Sequence, residues 1–588
     1  MTGCAGGARR LLIRNARLVD GSGSPARPAD LVVDGERIAA IGQPGSVSSA
    51  SLRDLPVMDA SGLMVCPGFI DIHSHGDLVL ALPPAAQRQL LDGRISQGIT
   101  TQIVGNCGLG VFPRTARSEP LLRAVVDWMT PRILADEQGG GGELAAEWPW
   151  SDLAGYLEHL ENNGVWINAG TLQPHGPLRM EVAGLSRTPV DMTEAEAMGV
   201  MSRRLTEALD SGAFGMSTGL IYPPGLFAST EELATLAATM ARAGGPAAFL
   251  ASHIRGSSET LLEAVGELLD IGRSAGVPVQ HSHSEAVGRD HWRKIETVLG
   301  MEESARTSGQ PVSFDMFPYT AAATMMLAIY PPWALEGGVD RLLARLADPE
   351  ARAAIGRSIE TVRPSWHPRP PWTPDGWPHN LVRAVGWDRI TIGSVGTEDS
   401  VGLEGMSLSD LGRARGKTPF DAISDLMIEQ QGMVSQIIHG ISGDDVREEG
   451  LEMLLSHPAG CVCTDADDFG KGRPHPAAFG AFPKVLGRYV RDQALLGWEE
   501  AIHKMTGRPA SLLGLGDRGV LRQGACADIV VLEPGKVDGA ATFDQPRRTA
   551  SGIVCVMVNG SVVHADAERS AFKDQEERPA GRVLRRGR

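Results

Sequence analysis

The sequence predicts an α/β protein: a TIM-like (β/α)8 barrel, a small β-sandwich domain formed by both chain termini, and a long inserted lid. Three observations predict it. Apolar runs of strand length alternate with amphipathic segments through the middle of the chain, both ends have a β-rich texture, and Cys, His and Asp side chains stand at the ends of several of the apolar runs. At 588 residues the chain exceeds what one hydrophobic core usually supports, so a large central domain with a smaller companion is expected.

The terminal domain is read from hairpins. Leu11-Leu12-Ile13, Arg17-Leu18-Val19 and Leu31-Val32-Val33 lead into Asp34-Gly35, a hairpin turn before Arg37 to Ile41. Near the other end, Ala527 to Leu532 and Val554 to Val558 precede Asn559-Gly560 and Ser561-Val562-Val563. So few strands are marginal alone, so the two ends are expected to pair, residues 8–66 with 515–565. The barrel then occupies 67–514, with strands at Phe69 to His73, Ile99 to Asn106, Val165 to Thr171, Phe214 to Thr218, Ala248 to His253, Pro278 to His283, Pro311 to Met316 and Cys461 to Asp465. Thr193 with Glu196 reads as a capping box, and Gly276 stops the helix carrying Leu261, Val265 and Leu268. Two stretches are too long for barrel connections: Arg114 to Trp150, with Gly139 to Gly142, and residues 319–460, with Trp366, Trp372 and Trp377 among prolines. The second is expected to be partly a lid, and 566–588 a mobile tail.

Composition narrows the function classes. The hydrophobic fraction is 42% and the mean hydropathy −0.08. No apolar run approaches the roughly 18 residues of a membrane span, so no membrane partner is expected. A net charge of −16 repels a phosphate backbone, and the one dense basic cluster is terminal, from Arg582 to Arg588. Nucleic acid is therefore not an expected partner. Seven cysteines without framework spacing suit a reducing cytoplasm, and Met1 to Arg10 lacks the apolar core of a signal peptide. Cys461 and Cys463 read as small buried residues on one strand.

Chemistry is concentrated at the strand ends. His73 and His75, two apart on a strand, point the same way and offer two nitrogens to one cation, with Asp77 near enough to support them. Cys107 stands in the Gly-rich turn Gly105-Asn106-Cys107-Gly108, and a metal would hold its thiol as thiolate. His253, the His281-Ser282-His283 triplet and Asp465 close three further strands. Each signal is weak alone, but five separate strands bringing such residues to one face form a site.

The sequence from about Leu11 to His564 resembles the N-acyl-D-amino-acid deacylases, or D-aminoacylases, of the amidohydrolase superfamily. The motifs are Gly68 to Asp77, Gly98-Ile99-Thr100-Thr101 with Gly105 to Gly108, Ser217 to Gly225, Ser252-His253-Ile254-Arg255, Phe317-Pro318-Tyr319, Arg473-Pro474-His475-Pro476 and Phe482 to Gly487. The resemblance implies a zinc-dependent amidohydrolase that cleaves a C–N amide bond of a small molecule. Cys107, His253 and His283 would hold a tightly bound Zn2+, His73 and His75 a weaker second site, and Asp465 would be a metal ligand and the general base and acid. Tyr222 and Tyr319 are candidates for contacting substrate or oxyanion, with core packing the alternative, and His175 is a further candidate at the mouth.

The sequence departs from the resemblance around the catalytic Asp, where the usual Ser-Asp-Gly reads Thr464-Asp465-Ala466, and at two positions that are usually cations. Family members usually carry a lysine two residues after the second zinc histidine and an arginine after the Arg-Pro-His-Pro run; here these are Glu285 and Ala477. An acid in place of a base opposes a substrate carboxylate, so the expected substrate is an amide without a free α-carboxylate at the usual place, with a positive group near Glu285. Arg255 or Arg473 is the alternative carboxylate clamp. A cyclic-amide hydrolase or deaminase on the same metal site and a non-catalytic scaffold remain open, as does a homo-oligomer.

Overall fold

A computed structural model of the protein describes residues 10–46, 55–133, 142–143, 148–187, 195–366, 377–566 and 578–587. Cys4, Gly139 to Gly141, Thr193 of the expected capping box, Trp372 and residues 567–577 of the expected tail lie outside them.

The centre of the molecule is parallel α/β. Strands Phe69–Asp71, Ile99–Val104 and Asn168–Thr171 form one parallel arc. A second runs through Gln173–Pro174, Gly215–Gly219, Phe249–His253, Val279–His281, Val312–Met316 and Gly460–Val462. The arcs are joined through the chain at Leu172. At the far side the Asp465 N–H donates to the His73 carbonyl over 3.0 Å, linking the last strand's exit to the first's. Nearly every residue of these strands is buried, which is why they read as continuous apolar runs without alternation. Helices cover the outside. Ser229 caps Thr230–Gly244 by accepting the Glu232 N–H, and Gly276, in the left-handed region at φ 68°, ends Leu261–Ala275.

The two chain ends share one continuous sheet, not a sandwich of two. Its order is Ser561–Ala565, Ile553–Val558, Ile529–Leu532, Met64–Pro67, Arg10–Leu18, Arg27–Asp34 and Arg37–Gly42, with Val57–Asp59 on Arg10–Leu18. The period-2 alternation of strands explains why one sheet suffices. Met64, Cys66, Val530, Leu532, Val556 and Val558 face the main core, while Val65, Ile529, Val531, Cys555 and Met557 meet Leu11, Ile13, Leu31 and Val33 in a second core.

Between Met316 and Gly460 the chain builds a small antiparallel sheet, with Val434–His439 flanked by Ala321–Met325 and Ile390–Val395. The longer helices of this stretch include Val339–Ala347, Pro349–Thr361, Leu408–Arg415 and Pro419–Glu429. Two begin with a side-chain cap followed by proline, Asp348-Pro349 and Thr418-Pro419.

The last residues correct the expected mobile tail. Val583 bridges Ala169 in parallel, and Leu584 N–H donates to Ala169 O at 2.7 Å. Gly581 N–H donates to Val165 O, while Arg586 N–H reaches Gly212 O. The segment therefore wedges between the third and fourth strand units, where the parallel sheet divides. The run of arginines reads as a solvated basic tail from sequence, yet the Arg586 side chain is spent on the carbonyls of Ala213, Gly244 and Leu209. Among the described residues no helix is long and apolar enough to cross a membrane.

Candidate metal centre and its cavity

The thiol and the imidazoles meet because the backbone after each strand turns sharply. Cys107 has φ 51°, His283 φ 35° and Asp465 φ 46°, so three of the converging side chains sit in the left-handed region that non-glycine residues avoid. The Cys107 turn is bracketed by Gly105 at φ 75° and Gly108 at φ 63°. A side chain on Gly105 would stand 2.5 Å from Leu172 O, and one on Gly219, on the facing strand, would overlap the Cys107 carbonyl oxygen. Glycines here allow close approach of backbone to backbone.

Two donor sets share one sulfur. Cys107 Sγ lies 3.7 Å from His253 Nδ1 and 3.6 Å from His283 Nε2, and 3.3 Å from His73 Nε2 on its other side. Asp465 Oδ1 stands 3.1 Å from His73 Nε2 and 3.2 Å from His75 Nε2. Within each set, Cys107/His253/His283 and His73/His75/Cys107/Asp465, the donor atoms lie within 4.8 Å of one another. Borderline-soft thiolate and imidazole donors with one carboxylate suit zinc, so the residues fit that ion.

Electrostatics points the same way. Burial alone would raise the Cys107 thiol, but His73, His253 and His283 outweigh it and hold it well below its ordinary value. Burial likewise opposes ionisation of Asp465, and His73, His283 and His75 hold it well below the carboxylate range. Burial works against charge on His73, but Asp315, Asp465 and Cys107 raise it well above the ordinary imidazole value. A buried thiolate and carboxylate thus face groups that carry positive charge, the compensation a cation provides.

Supporting contacts orient these ligands. Asp315 Oδ1 accepts from His73 Nδ1 at 3.0 Å and from the His283 N–H at 2.6 Å, and Cys463 Sγ lies 3.5 Å from the same oxygen. The sequence signal for Asp315 was a carboxylate inside the apolar strand Val312–Met316. Asp77 is buried beside His75 without a hydrogen bond to it; the His75 N–H goes to Asp467 Oδ2 at 2.5 Å.

The centre opens into a cavity. His75, Cys107, His253, His283 and Asp465 form its floor, and Tyr222, Glu285 and Arg473 are also in its lining. The Tyr222 ring packs edge-on against His253 at 5.1 Å, and its hydroxyl lies 2.6 Å from Thr324 Oγ1. The inserted segment supplies Thr324, Gln436, Ile438 and His379 to the opposite wall.

Three expected substrate contacts are corrected. Arg255 does not line the cavity: it is 1% exposed, paired with Glu267 at 2.7 Å and donating to the Ala228 carbonyl. Its strand has passed the mouth, so the side chain turns into the helix layer. His175 is fully buried with Nε2 2.8 Å from Glu232, packed behind the Cys107 turn. Tyr319 is buried under Lys484, whose Nζ sits 3.8 Å over the ring, and against His475. Ala477 is likewise buried outside the lining, so of the two altered positions only Glu285 meets the cavity. Sequence reasoning missed His379, which sits in a Pro- and Trp-rich stretch without periodicity.

The amidohydrolase family pattern matches residues 404–564. The D-aminoacylase of Alcaligenes xylosoxydans xylosoxydans is 33% identical, the alignment covering 98% of this chain and 97% of that protein. The crystal structure of N-acyl-D-glutamate deacylase from Bordetella bronchiseptica, complexed with zinc and a phosphonate mimic of the tetrahedral intermediate, matches with a TM-score of 0.72 and 30% identity. It covers 98% of this chain and 99% of that one. A D-aminoacylase structure described for its binuclear metal centre, with one-metal activation and second-metal attenuation, matches with the same TM-score, identity and coverage.

Proposed function

The chain belongs to the D-aminoacylase family of amidohydrolases, and from that premise we propose that it is a zinc-dependent deacylase of N-acylated D-amino-acid-type compounds. The observation that carries the proposal is the convergence of Cys107, His253, His283, His75 and Asp465 on one cavity floor, with His73 buried beside them and Cys107 common to both donor sets. Cys107, His253 and His283 would hold the tighter ion, and His73 with His75 would complete a weaker second site. A bound zinc supplies Lewis acidity toward the scissile carbonyl and toward a water.

The protein's own groups do the rest. Asp465, ionised and fixed between His73 and His75, takes the proton of the attacking water and later delivers it to the departing nitrogen. Asp315 holds the His73 ring in one orientation. Tyr222, tethered to Thr324, faces the substrate from the side of His253. The inserted sheet walls the cavity and acts as a lid that excludes water. The two parallel arcs, joined at Leu172 and at Asp465–His73, support the reading of a (β/α)8 barrel whose strand ends carry the site. The described cysteines carry no disulfide, which suits a cytoplasmic protein.

Metal analysis with turnover of N-acyl-D- and L-amino acids and cyclic amides tests this. The protein is expected to hold zinc and to release acyl groups from the D series, and Asp465→Asn to lower kcat by about 10²–10⁴-fold while keeping its zinc. Full zinc loading with no amide turnover would instead indicate a scaffold, and turnover of cyclic amides alone a different bond.

A further inference from the structure

His379 is the one imidazole that the insertion brings to the cavity lining among the described residues. Its stretch is pinned to the loop that follows the His253 strand. The Thr260 hydroxyl donates to Pro378 O at 2.7 Å, the Ser257 N–H donates to His379 Nδ1 at 3.4 Å, and the Ser258 hydroxyl lies 3.0 Å from that nitrogen. On the other side, Asn380 Nδ2 donates to Ile359 O at 2.8 Å while its Oδ1 accepts the Arg383 N–H. Both neighbours of His379 are thus tied down, and the ring is held in one place.

A backbone N–H can only donate, so Nδ1 is an acceptor and the ring proton resides on Nε2. No hydrogen bond among the described residues engages Nε2, and that atom is not sealed in the interior, so it opens onto the cavity. Burial, with His253 adding to it, pushes the ring down to about 3, so it stays neutral at working pH. The surroundings of this donor are apolar. Val287, whose N–H donates to Ser257 O at 2.7 Å, bridges Ile441, and both line the cavity with Leu381 and His379. A single N–H among aliphatic side chains fixes the orientation of the oxygen it meets. His253 and His283 stand in the same lining, so a molecule lying over the metal donors also reaches His379.

Resting on the deacylase reading above, we propose that His379 is a substrate-binding residue whose Nε2–H donates to a carbonyl or carboxyl oxygen on the α-carbon of the amine half. The acyl oxygen belongs to the metal, which leaves the oxygen of the other half for the wall. A neutral donor recognises that oxygen in a carboxylate or a carboxamide alike. A compound with only hydrogen in its place leaves the donor unpaired, and that costs binding.

The test uses the full-length zinc-loaded protein and three substrates: N-acetyl-D-leucine, N-acetyl-D-leucinamide, and N-isopentylacetamide, which has hydrogen in place of the carboxyl group. Acetate release is followed. His379→Phe is expected to lower kcat/KM about tenfold on the leucine or leucinamide compound, mainly through KM, and to change the third by less than about twofold. The larger of the first two losses tells whether the recognised oxygen belongs to a carboxylate or a carboxamide. Equal losses on all three, as a donor to the acyl oxygen or a purely structural residue would give, overturn the proposal, and so does no loss. Zinc content and thermal melting report whether the variant is intact. Should it not be, His379→Ala with added imidazole takes its place: imidazole is expected to restore turnover of the oxygen-bearing substrates alone, and rescue of all three or of none overturns the proposal. Should wild type release acetate from none of the three, the deacylase reading fails instead. Titration calorimetry then decides His379 by itself: D-leucine or D-leucinamide binding more tightly than isopentylamine, with the difference lost in His379→Phe, supports the proposal, and any other pattern overturns it.

Discussion

At the scale of single residues, the imidazoles divide by what their two nitrogens meet. His73 has acids on both sides and gains a proton or a cation, whereas His475 is spent on backbone. His475 Nε2–H donates to Ala321 O at 2.8 Å, and Nδ1 accepts the Ala477 N–H at 3.1 Å. Burial pushes His475 down to about 3, and a second ring proton would point at that N–H. The folded pKa is depressed below the ordinary value near 6.5, so between about pH 6.5 and 3 the unfolded chain binds more protons. The contribution is complete above pH 6.5 and is lost as pH falls. At pH 5 the loss from this residue is about 2 kcal/mol. Denaturation curves at pH 7 and pH 5 are expected to show a smaller acid loss for His475→Gln than for wild type; parallel losses would remove His475 as the cause.

At the scale of elements, the strand-to-loop turns decide whether ligands meet. Gly219 ends its strand against the Cys107 carbonyl with no room for a methyl group. Gly219→Ala therefore has to push the Cys107 turn aside, costing about 1–3 kcal/mol of overpacking. Displacing the thiol should weaken zinc retention at least tenfold in a chelator competition, with the far-ultraviolet circular dichroism unchanged; wild-type retention would show that the turn yields without moving sulfur. The same elements show what is legible in the sequence. Strand positions and their terminal His, Cys and Asp residues are local: an apolar run followed by a polar side chain and glycine is visible in ten residues. The insertion is not local, since Ala321–Met325 pairs with Val434–His439 across more than a hundred intervening residues. Nothing in either segment names its partner, and so His379 could not be placed at the cavity. Arg255, His175 and Tyr319 were misplaced for a related reason. Each follows or stands in a motif at a strand end, but one residue's difference along the turn sends the side chain into the helix layer instead of the mouth.

At the scale of the whole molecule, the C-terminal segment ties three parts together. Asn168 Oδ1 accepts from the Arg582 N–H at 3.0 Å and from Asn559 Nδ2 at 2.9 Å, while its Nδ2 donates to Asp528. A parallel strand, the terminal sheet and the end of the chain thus converge on one buried amide. Deleting residues 578–588 removes the backbone bonds at Val165, Ala169 and Gly212, each worth about 1 kcal/mol, and uncovers the gap between the third and fourth strand units. The truncated protein is expected to inactivate several-fold faster on heating, with kcat at 25 °C little changed because the wedge lies away from the cavity floor. An unaltered half-life would show that the gap closes without it.

The inserted segment contributes much of one cavity wall, His379 included, yet none of the six metal-facing side chains belongs to it. The reactive groups and one wall of the cavity therefore reside on separable stretches of polypeptide. Exchanging residues 319–460 for a different excursion of the same span would retarget the enzyme while sparing its reactive core, and ordinary mutation could drift along the same route.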